Sequence, residues 1–243
     1  MNSLSIIIPV YNEGTFIAKA LLKTCSSDSL TLKKEIVIID DGSNDETKDA
    51  IEEAIKKLKK EYKTISFKTL FKKSNQGKGA AVRDGFKIST GDIVLLQDAD
   101  LEYNPEDYPL LLEPFLKHDA DVVYGSRFIS NRPHRVLYFW HYLINVFLTT
   151  FSNMFTNLNL TDMETGYKVF KGDLIRNLAP KLESNRFGFE PEITARIGKI
   201  KSLKIYEVGI SYYGRTYSEG KKIGWRDGVK AIWEIIKFNL SRD

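Results

Sequence analysis

The stretch that decides the fold is Asp92-Ile93-Val94-Leu95-Leu96-Gln97-Asp98-Ala99-Asp100-Leu101-Glu102. Its first half is short and almost wholly apolar, which is typical of a buried strand. Three carboxylates then follow at alternating positions, those of Asp98, Asp100 and Glu102. Because buried like charges repel one another, such a cluster indicates a site where a cation neutralises them. We expect Mg²⁺ or Mn²⁺ carrying a phosphate at this strand end, since these ions take few protein carboxylates and add substrate oxygens. A solvated acidic turn is the alternative.

Strand-like and helix-like segments alternate on both sides of this stretch. The strand-like segments are Leu4–Val10, Glu35–Asp40, Ile65–Leu70, Ile93–Gln97 and Asp121–Gly125. The helix-like segments between them are Thr15–Thr24, Asp45–Tyr62, Gly79–Ser89 and Pro105–Lys117. This succession predicts an α/β fold with a mainly parallel sheet flanked by helices. We expect a core over residues 1–130 and a helical, basic extension over residues 131–243, within one domain.

Composition and charge narrow the class of protein. The chain has 243 residues, 42% of them hydrophobic, which is ample for a packed core. Residues 191–243 contain 11 Lys and Arg against 6 Asp and Glu. This basic part favours phosphate groups or an anionic membrane surface over a nucleic-acid groove, with a solvated basic face as the alternative. The single cysteine, Cys25, excludes an internal disulfide and a multi-cysteine zinc site, and suits a reducing compartment.

Polar residues also follow the other predicted strands. Tyr11 presents a ring on which a nucleobase could stack, and the Asp40-Asp41 pair could accept hydrogen bonds from a base or ribose, although turn and helix-cap roles explain part of both segments. The turn Asn75–Gly79 lacks the glycine spacing of phosphate loops and dinucleotide-binding turns, which disfavours a nucleoside triphosphatase or a dehydrogenase. Its Lys78, at the start of a helix, could still bind phosphate.

Five motifs together resemble the family 2 glycosyltransferases with a GT-A fold, especially the dolichyl- and polyprenyl-phosphate mannose or glucose synthases. They are, in order, Pro9–Glu13, Asp40–Ser43, Asn75–Gly79, Asp98–Asp100 and Gly125–Arg127. The resemblance implies a Rossmann-like sheet and an inverting, metal-dependent hexosyltransferase. It implies a nucleotide-sugar donor of the GDP-mannose or UDP-glucose type and a polyprenyl or dolichyl phosphate acceptor.

The resemblance also implies roles for individual residues. The expected donor contacts, with Lys78 added, are Pro9, Tyr11, Glu13, Asp41, Lys78, Asp98, Ala99, Asp100 and Arg127. Asp100 is the expected metal ligand and Glu102 the second metal contact. The expected catalytic residues, which stabilise the departing diphosphate, are Asp100, Arg127, Arg215, Lys221 and Lys222.

The acceptor side is implied by the segment that contains Asp162, Glu164, Gly166 and Tyr167, together with Glu190 at a helix start. Met163-Glu164 differs from the small residues or the Pro-Val pair that are commoner at these two positions in the family, which leaves the role of Glu164 open. A lipid phosphate needs no base, because its second pKa is about 6. Transfer to a saccharide, protein or other hydroxyl would need one, and Glu190 or Glu164 would be tested. A nucleotidyltransferase, which would want a basic glycine-rich loop near the N-terminus, and a non-catalytic binding module are the further alternatives.

Two segments indicate contact with a membrane. Residues 136–161 lack Asp, Glu, Lys and Arg, yet carry a polar stripe at helical spacing. The stripe consists of His141, Asn145, Thr149, Ser152 and Thr156. It predicts an amphipathic helix at the membrane interface rather than a spanning one, and Trp225–Leu240 is a second candidate. Core-facing helices or a dimer interface remain alternatives. We expect a peripheral protein at the cytoplasmic face of a membrane that binds no nucleic acid. A homo-oligomer remains an alternative to a monomer.

Overall fold

The computed structural model describes residues 1–129, 134–136, 138–215 and 225–241. Within those residues the chain forms one sheet of seven strands. The strands are β1 (Ser3–Val10), β2 (Lys33–Asp40), β3 (Ser66–Phe71), β4 (Ile93–Leu96), β5 (Val122–Ser126), β6 (Lys168–Lys171) and β7 (Ile205–Gly209). The α-helices are α1 (Gly14–Ser26), α2 (Thr47–Glu61), α3 (Lys78–Ile88), α4 (Tyr108–Lys117), α5 (Phe139–Thr156), α6 (Gly172–Leu178), α7 (Phe189–Lys199) and α8 (Trp225–Leu240).

The strand order is β3-β2-β1-β4-β6-β5-β7. Strand β6 runs antiparallel to both of its neighbours, β4 and β5, and the other paired strands are parallel. The predicted mainly parallel sheet flanked by helices is therefore confirmed. A doubly wound arrangement of this kind gathers the carboxyl ends of its parallel strands at one edge, which is where ligands bind in such sheets.

Residues on β1 explain how the sheet is covered on both faces. Successive side chains of a strand point to opposite faces. Accordingly, Ile6 and Ile8 belong to a core that includes Ile17 of α1 and Ile51 of α2. Ile7 belongs to the core on the other face, with residues of α3, α6 and α7. Burial on both faces explains why these strands are continuously apolar in the sequence.

Strands β6 and β7 come from the part of the chain for which the sequence predicted a helical, basic extension. β6 begins and ends with lysine and has four residues, so neither its length nor its polarity distinguishes it from a loop. β7 is only partly buried, as expected for the strand at the end of the sheet. The predicted helix Pro105–Lys117 is also divided, into a 3₁₀ turn over Pro105–Asp107 and α4.

Candidate functional site

The loops after β1 and β2 are held together at the carboxyl edge of the sheet. The backbone N–H of Asn12 donates to Ser43 Oγ at 2.9 Å, and the N–H of Asn44 donates to Asn12 Oδ1 at 3.0 Å. Tyr11, which follows β1, is 37% exposed, so its ring is accessible at this edge. Pro9 is half-buried within β1. The first predicted donor contacts therefore lie at this edge. We refer to the space between these loops, the segment after β4 and the start of α3 as the crevice.

Asp41 fixes the glycine turn that begins α3. Its Oδ2 accepts hydrogen bonds from the backbone N–H groups of Gln76 at 3.0 Å and Gly77 at 2.6 Å. Its Oδ1 lies 2.7 Å from Lys72 Nζ. Gly77 has φ +103°, and a Cβ there would lie 2.2 Å from the Asn185 carbonyl oxygen, so a side chain is excluded. The carboxylate expected to contact the base is therefore engaged by the chain itself, as an anchor for this turn.

Two carboxylates after β4 and one after β1 surround the guanidinium of Arg215. Arg215 Nη2 lies 3.1 Å from Asp100 Oδ2, and Arg215 Nε lies 3.2 Å from Glu102 Oε1. Glu13 Oε2 is 3.7 Å from Nη1 on the other side. Glu102 also accepts hydrogen bonds from the Tyr212 hydroxyl and the Arg215 backbone N–H. The predicted metal contacts thus meet the predicted catalytic residue Arg215 at one point.

Electrostatics at this point favour a further cation. Burial, followed by the carboxylates of Asp98 and Glu102, raises the pKa of Asp100 to about 7, although the charge of Arg215 lowers it. Ionised Asp100 is therefore costly, and a divalent ion would relieve that cost. In the described part of the chain, no group of three His, Cys, Asp or Glu forms a metal cage. The donors at Asp100 and Glu102 fit Mg²⁺ or Mn²⁺, which take one or two carboxylates and complete their shell with substrate oxygens.

Lys78 joins α3 to the crevice. Its Nζ lies 2.9 Å from Asp98 Oδ1 and 3.3 Å from Glu190 Oε1. Burial alone would lower the pKa of Lys78, but the carboxylates of Asp98 and Glu190 raise it well above the ordinary value. The side chain is therefore a fixed positive charge at the first turn of a helix, where the backbone N–H groups also favour anions. Ala99, by contrast, is 4% exposed and packs in the core, so its side chain offers little to a ligand.

Arg127, which follows β5, is locked to Asp162. Asp162 Oδ2 accepts from the Arg127 Nε at 2.6 Å and from its backbone N–H at 3.0 Å, and Oδ1 accepts from Nη2 at 2.7 Å. Asp162 itself is held because its backbone N–H donates to Glu207 of β7. The Arg127 guanidinium also lies 5.2 Å from the Tyr212 ring centre. A predicted donor-side residue and a predicted acceptor-side residue therefore form one buried pair.

The acceptor-side segment packs directly behind Asp98. A Cβ on Gly166 would lie 2.5 Å from Asp98 Oδ2, so glycine is required for this approach. The Gly166 N–H donates to the Tyr103 hydroxyl at 2.7 Å. Tyr167 is fully buried, and its hydroxyl donates to Gln97 Oε1 at 2.7 Å. Tyr167 therefore supports the site from the core and does not line the crevice, because its ring packs against Tyr103.

Sequence reasoning missed Lys168, which is fully buried at the start of β6. Its Nζ donates to the Thr165 carbonyl oxygen and lies 5.4 Å from the Tyr124 ring centre. Burial lowers the pKa of Lys168 to about 8, while the carboxylates of Glu190 and Glu164 act in the opposite direction. In the sequence, the burial of Lys168 is indicated by its position directly before the apolar pair Val169-Phe170. The predicted Lys221 and Lys222 lie outside the described residues.

Helix α5 exposes its apolar side and buries its polar side. Phe139, Trp140, Phe147 and Met154 are 55 to 76% exposed. The polar stripe faces the protein, where Thr149, Ser152 and Thr156 are at most 8% exposed. Its members bond to the site: Asn145 Oδ1 accepts from Arg127 Nη2 at 3.3 Å, and Thr149 Oγ1 accepts from the Met163 N–H at 3.1 Å. Within the described residues, no helix is both long and apolar enough to span a membrane.

The open, mainly parallel sheet with acidic and basic side chains at its carboxyl edge is of the GT-A type. Residues 5–178 match the family described as "Glycosyl transferase family 2". The chain therefore belongs to glycosyl transferase family 2 and is a glycosyltransferase.

Relatives and solved structures agree with this assignment. The chain is 28% identical to a dolichyl-phosphate beta-glucosyltransferase of Dictyostelium discoideum, over 98% of this chain and 74% of that protein. It is 29% identical to an undecaprenyl-phosphate mannosyltransferase of Micrococcus luteus, over 96% of this chain and 97% of that protein. The structure is similar to glucosyl-3-phosphoglycerate synthase of Mycobacterium tuberculosis in complex with Mn²⁺, uridine diphosphate and phosphoglyceric acid. That likeness has a TM-score of 0.68 at 16% identity, covers 100% of this chain and 80% of the other, and concerns the fold alone.

Proposed function

We propose that this glycosyltransferase moves a hexose, with inversion, from a nucleotide sugar of the GDP-mannose or UDP-glucose type to a polyprenyl or dolichyl phosphate. The observation that carries the proposal is the orientation of α5. Its polar side bonds to Arg127 and to the loop that holds Asp162, and its apolar side is exposed. A lipid acceptor at that exposed side would bring its phosphate close to the crevice. The two relatives named above, whose names specify lipid phosphates, support the same acceptor class.

The donor diphosphate is expected among the cationic side chains of the crevice. Asp100 and Glu102 would hold Mg²⁺ or Mn²⁺, which when bound neutralises negative charge on the departing nucleoside diphosphate. Arg215 already contacts both carboxylates, so a small movement of its side chain would place it on a phosphate oxygen. Lys78 and Arg127 add fixed positive charge, and Lys221 and Lys222 remain candidates for the same role. Such preorganised charge is the largest contribution to catalysis in many enzymes.

The reaction forms one bond and breaks one. An oxygen of the lipid phosphate attacks the anomeric carbon from the face opposite the leaving group, and the bond from that carbon to the diphosphate oxygen breaks. The attacking oxygen already carries charge at neutral pH, because the second pKa of a phosphate monoester is about 6. The transfer therefore needs no proton acceptor in the protein. The residues contribute by holding both anions in line despite their mutual repulsion.

The exposed side of α5, with α8 beside it, is proposed to lie at the membrane interface. Contiguous exposed apolar surface of this kind is rare on soluble monomers and marks membrane or protein contacts. In this arrangement residues 1–130 supply most of the donor site and residues 131–243 the acceptor side. The protein would then act as a peripheral enzyme at the cytoplasmic face of a membrane.

The proposal is tested by incubating the purified chain with GDP-mannose or UDP-glucose, with Mn²⁺ or with chelator, and with either a short polyprenyl phosphate or the matching polyprenol. Mass spectrometry identifies the product. We expect a hexosyl phosphate lipid from the phosphate acceptor only, and only with the metal. Transfer to the polyprenol at a comparable rate would contradict the proposed acceptor. Undiminished transfer in chelator would contradict the metal.

Membrane contact is tested separately by flotation with phosphatidylglycerol vesicles. We expect the wild-type chain to float and a Phe147→Ser/Met154→Ser variant to remain largely in the soluble fraction. Leu22→Ser, at an exposed apolar position on α1, is the matched control. Equal flotation of all three proteins would contradict the proposed contact of α5 with the membrane interface.

A further inference from the structure

Two glutamates next to the crevice each have a buried carboxylate oxygen that has no hydrogen bond to any described residue. In the part of the chain that the structure describes, Glu164 Oε1 and Glu190 Oε2 are inaccessible to solvent and have no partner. Glu190 as a whole is only 5% exposed. Buried polar atoms are almost always satisfied, since an unsatisfied one is costly. These two oxygens therefore point to a partner that the described residues do not supply.

Both carboxylates lie beside the group that ends β4. The other oxygen of Glu190, Oε1, is 3.3 Å from Lys78 Nζ, which in turn is 2.9 Å from Asp98 Oδ1. Glu164 is two residues before Gly166, whose backbone abuts Asp98. Burial, followed by repulsion from the carboxylate of Glu190, raises the pKa of Glu164 to about 8, which is consistent with two close acids. The pair thus lies on the Lys78 side of Asp98, whereas Arg215 contacts Asp100 and Glu102.

Lys168 supports this pair from within the core. Its Nζ is committed to the Thr165 carbonyl oxygen and to the face of Tyr124, so it supplies charge without occupying the two open oxygens. Lys78 also lies near Glu190, but it contacts Oε1 and leaves Oε2 open. The two open oxygens therefore still lack hydrogen-bond donors, and a ligand with donor groups at matching positions can supply them.

The chemistry of the missing partner follows from this demand. A carboxyl group has an oxygen that accepts hydrogen bonds in either protonation state, and a fully ionised phosphate has no hydrogen to donate to it. A metal ion is also disfavoured here, because Lys78 already lies between Glu190 and Asp98. A sugar ring offers several hydroxyl donors, and carboxylates accept them in charge-assisted hydrogen bonds. Among the uncharged parts of a nucleotide sugar, the hexose offers more hydrogen-bond donors than the ribose or the base.

We propose that Glu164 and Glu190 accept hydrogen bonds from hydroxyl groups of the donor hexose and thereby determine which hexose the enzyme transfers. The inference rests on the proposed function in one respect, namely that the donor is a nucleotide sugar. It assigns to the pair a recognition role and leaves the metal and phosphate contacts to Asp100, Glu102 and the basic residues. An enzyme that loses these acceptors should still bind the nucleotide but should no longer distinguish the sugar attached to it.

The experiment measures the affinity that the sugar adds. Calorimetry with Mn²⁺ compares UDP with UDP-glucose, and GDP with GDP-mannose, for the wild-type chain, Glu164→Gln and Glu190→Gln. Glu183→Gln is the matched control, since Glu183 lies in the preceding segment with its side chain 60% exposed. We expect each site variant to lose about tenfold of the ratio between nucleotide-sugar and nucleotide affinity, as for one hydrogen bond to a charged acceptor. Affinity for the nucleotide alone should not fall in either site variant, because loss of a carboxylate beside Lys78 removes no cation from the phosphates. The ratio in the control should remain unchanged.

Deoxy-sugar donors supply the second readout. The wild-type chain should lose affinity for the donor that lacks the recognised hydroxyl, and the matching Gln variant should bind the normal and deoxy donors equally. An unchanged affinity ratio in both folded variants would overturn the proposal, as would a parallel loss of nucleotide affinity, which indicates general damage to the crevice. If a Gln variant does not fold, Glu164→Asp or Glu190→Asp replaces it, with the same expectation of a reduced ratio. Failure of the wild-type chain to bind any nucleotide or nucleotide sugar would instead remove the proposed function itself.

Discussion

Replacement of Asp162 by asparagine should destabilise the protein more than any loss of a surface ion pair. Asp162 is fully buried and receives three hydrogen bonds from Arg127, at 2.6, 2.7 and 3.0 Å. Asparagine has nearly the same shape but no charge, and its NH₂ group cannot accept the hydrogen bonds that Oδ1 or Oδ2 accepted. The variant would leave the guanidinium of Arg127 without its counter-charge in a site where it is only 13% exposed.

The magnitude follows from the burial of the pair. Removal of one partner from a buried ion pair costs about 3 to 5 kcal/mol. The asparagine carbonyl retains one acceptor, so we expect the lower end, about 3 kcal/mol, in the free energy of unfolding. For a chain of this size that loss corresponds to a decrease in Tm of roughly 6 to 12 °C.

The measurement is urea unfolding followed by circular dichroism, with Glu53→Gln as the control. Glu53 forms an ion pair of 2.6 Å with Lys57, but both side chains are mostly exposed, so little change is expected there. A double variant with Arg127→Gln and Asp162→Asn should be more stable than the sum of the two single effects predicts, because no unpaired charge remains. If Asp162→Asn unfolds at the same urea concentration as the control, the reasoning about this buried pair is refuted.

Four further outcomes follow from named groups. Glu35 is buried, which would raise its pKa, but hydrogen bonds from Lys68, Ser5 and Thr90 lower the pKa below the ordinary value. The stabilising effect of this carboxylate should be present above pH 4.5 and lost as the pH falls through the lowered pKa. In urea titrations, Glu35→Gln should therefore reduce the free energy of unfolding at pH 7 and change it little at pH 3. Burial raises the pKa of the Cys25 thiol to about 11, so iodoacetamide at pH 8 should label it only as fast as the chain unfolds; rapid labelling of the native protein would contradict its burial. Asp100→Asn should abolish metal-dependent transfer while leaving the circular dichroism spectrum and Tm at or above wild type, because a costly buried charge is removed; wild-type-like turnover would refute the metal assignment. Arg215→Ala should reduce kcat much more than it raises the donor Kd, and equal losses would indicate a simple binding contact.

Much of the sheet was predictable because its strands are buried on both faces and therefore continuously apolar. The five predicted strands correspond closely to β1 through β5, and the helices between them to α1 through α4. The prediction failed at β6, where Lys168 and Lys171 disguise a four-residue strand. A strand that short has too little periodicity to detect, and its place between β4 and β5 depends on pairing with distant partners.

The same contrast applies to the site. The carboxylates of Asp98, Asp100 and Glu102 were evident locally, since they follow an apolar strand. The contact of Asp100 and Glu102 with Arg215 was not, because it joins residues 115 and 113 positions apart along the chain. The polar stripe of α5 was visible in the sequence, but periodicity alone cannot say which side of a helix faces the protein.

The sequence by itself determined the α/β architecture, the family motifs and the acidic end of β4, because burial pattern and strand-end chemistry are local properties. Only the tertiary structure decided that Asp41 anchors a turn, that Asp162 locks Arg127, that Lys168 is buried beneath two acids and that α5 turns its apolar side outward. These features depend on which distant segments pack together. The energy of a buried charge or an exposed apolar surface is set by those neighbours and not by the residue's own position in the chain.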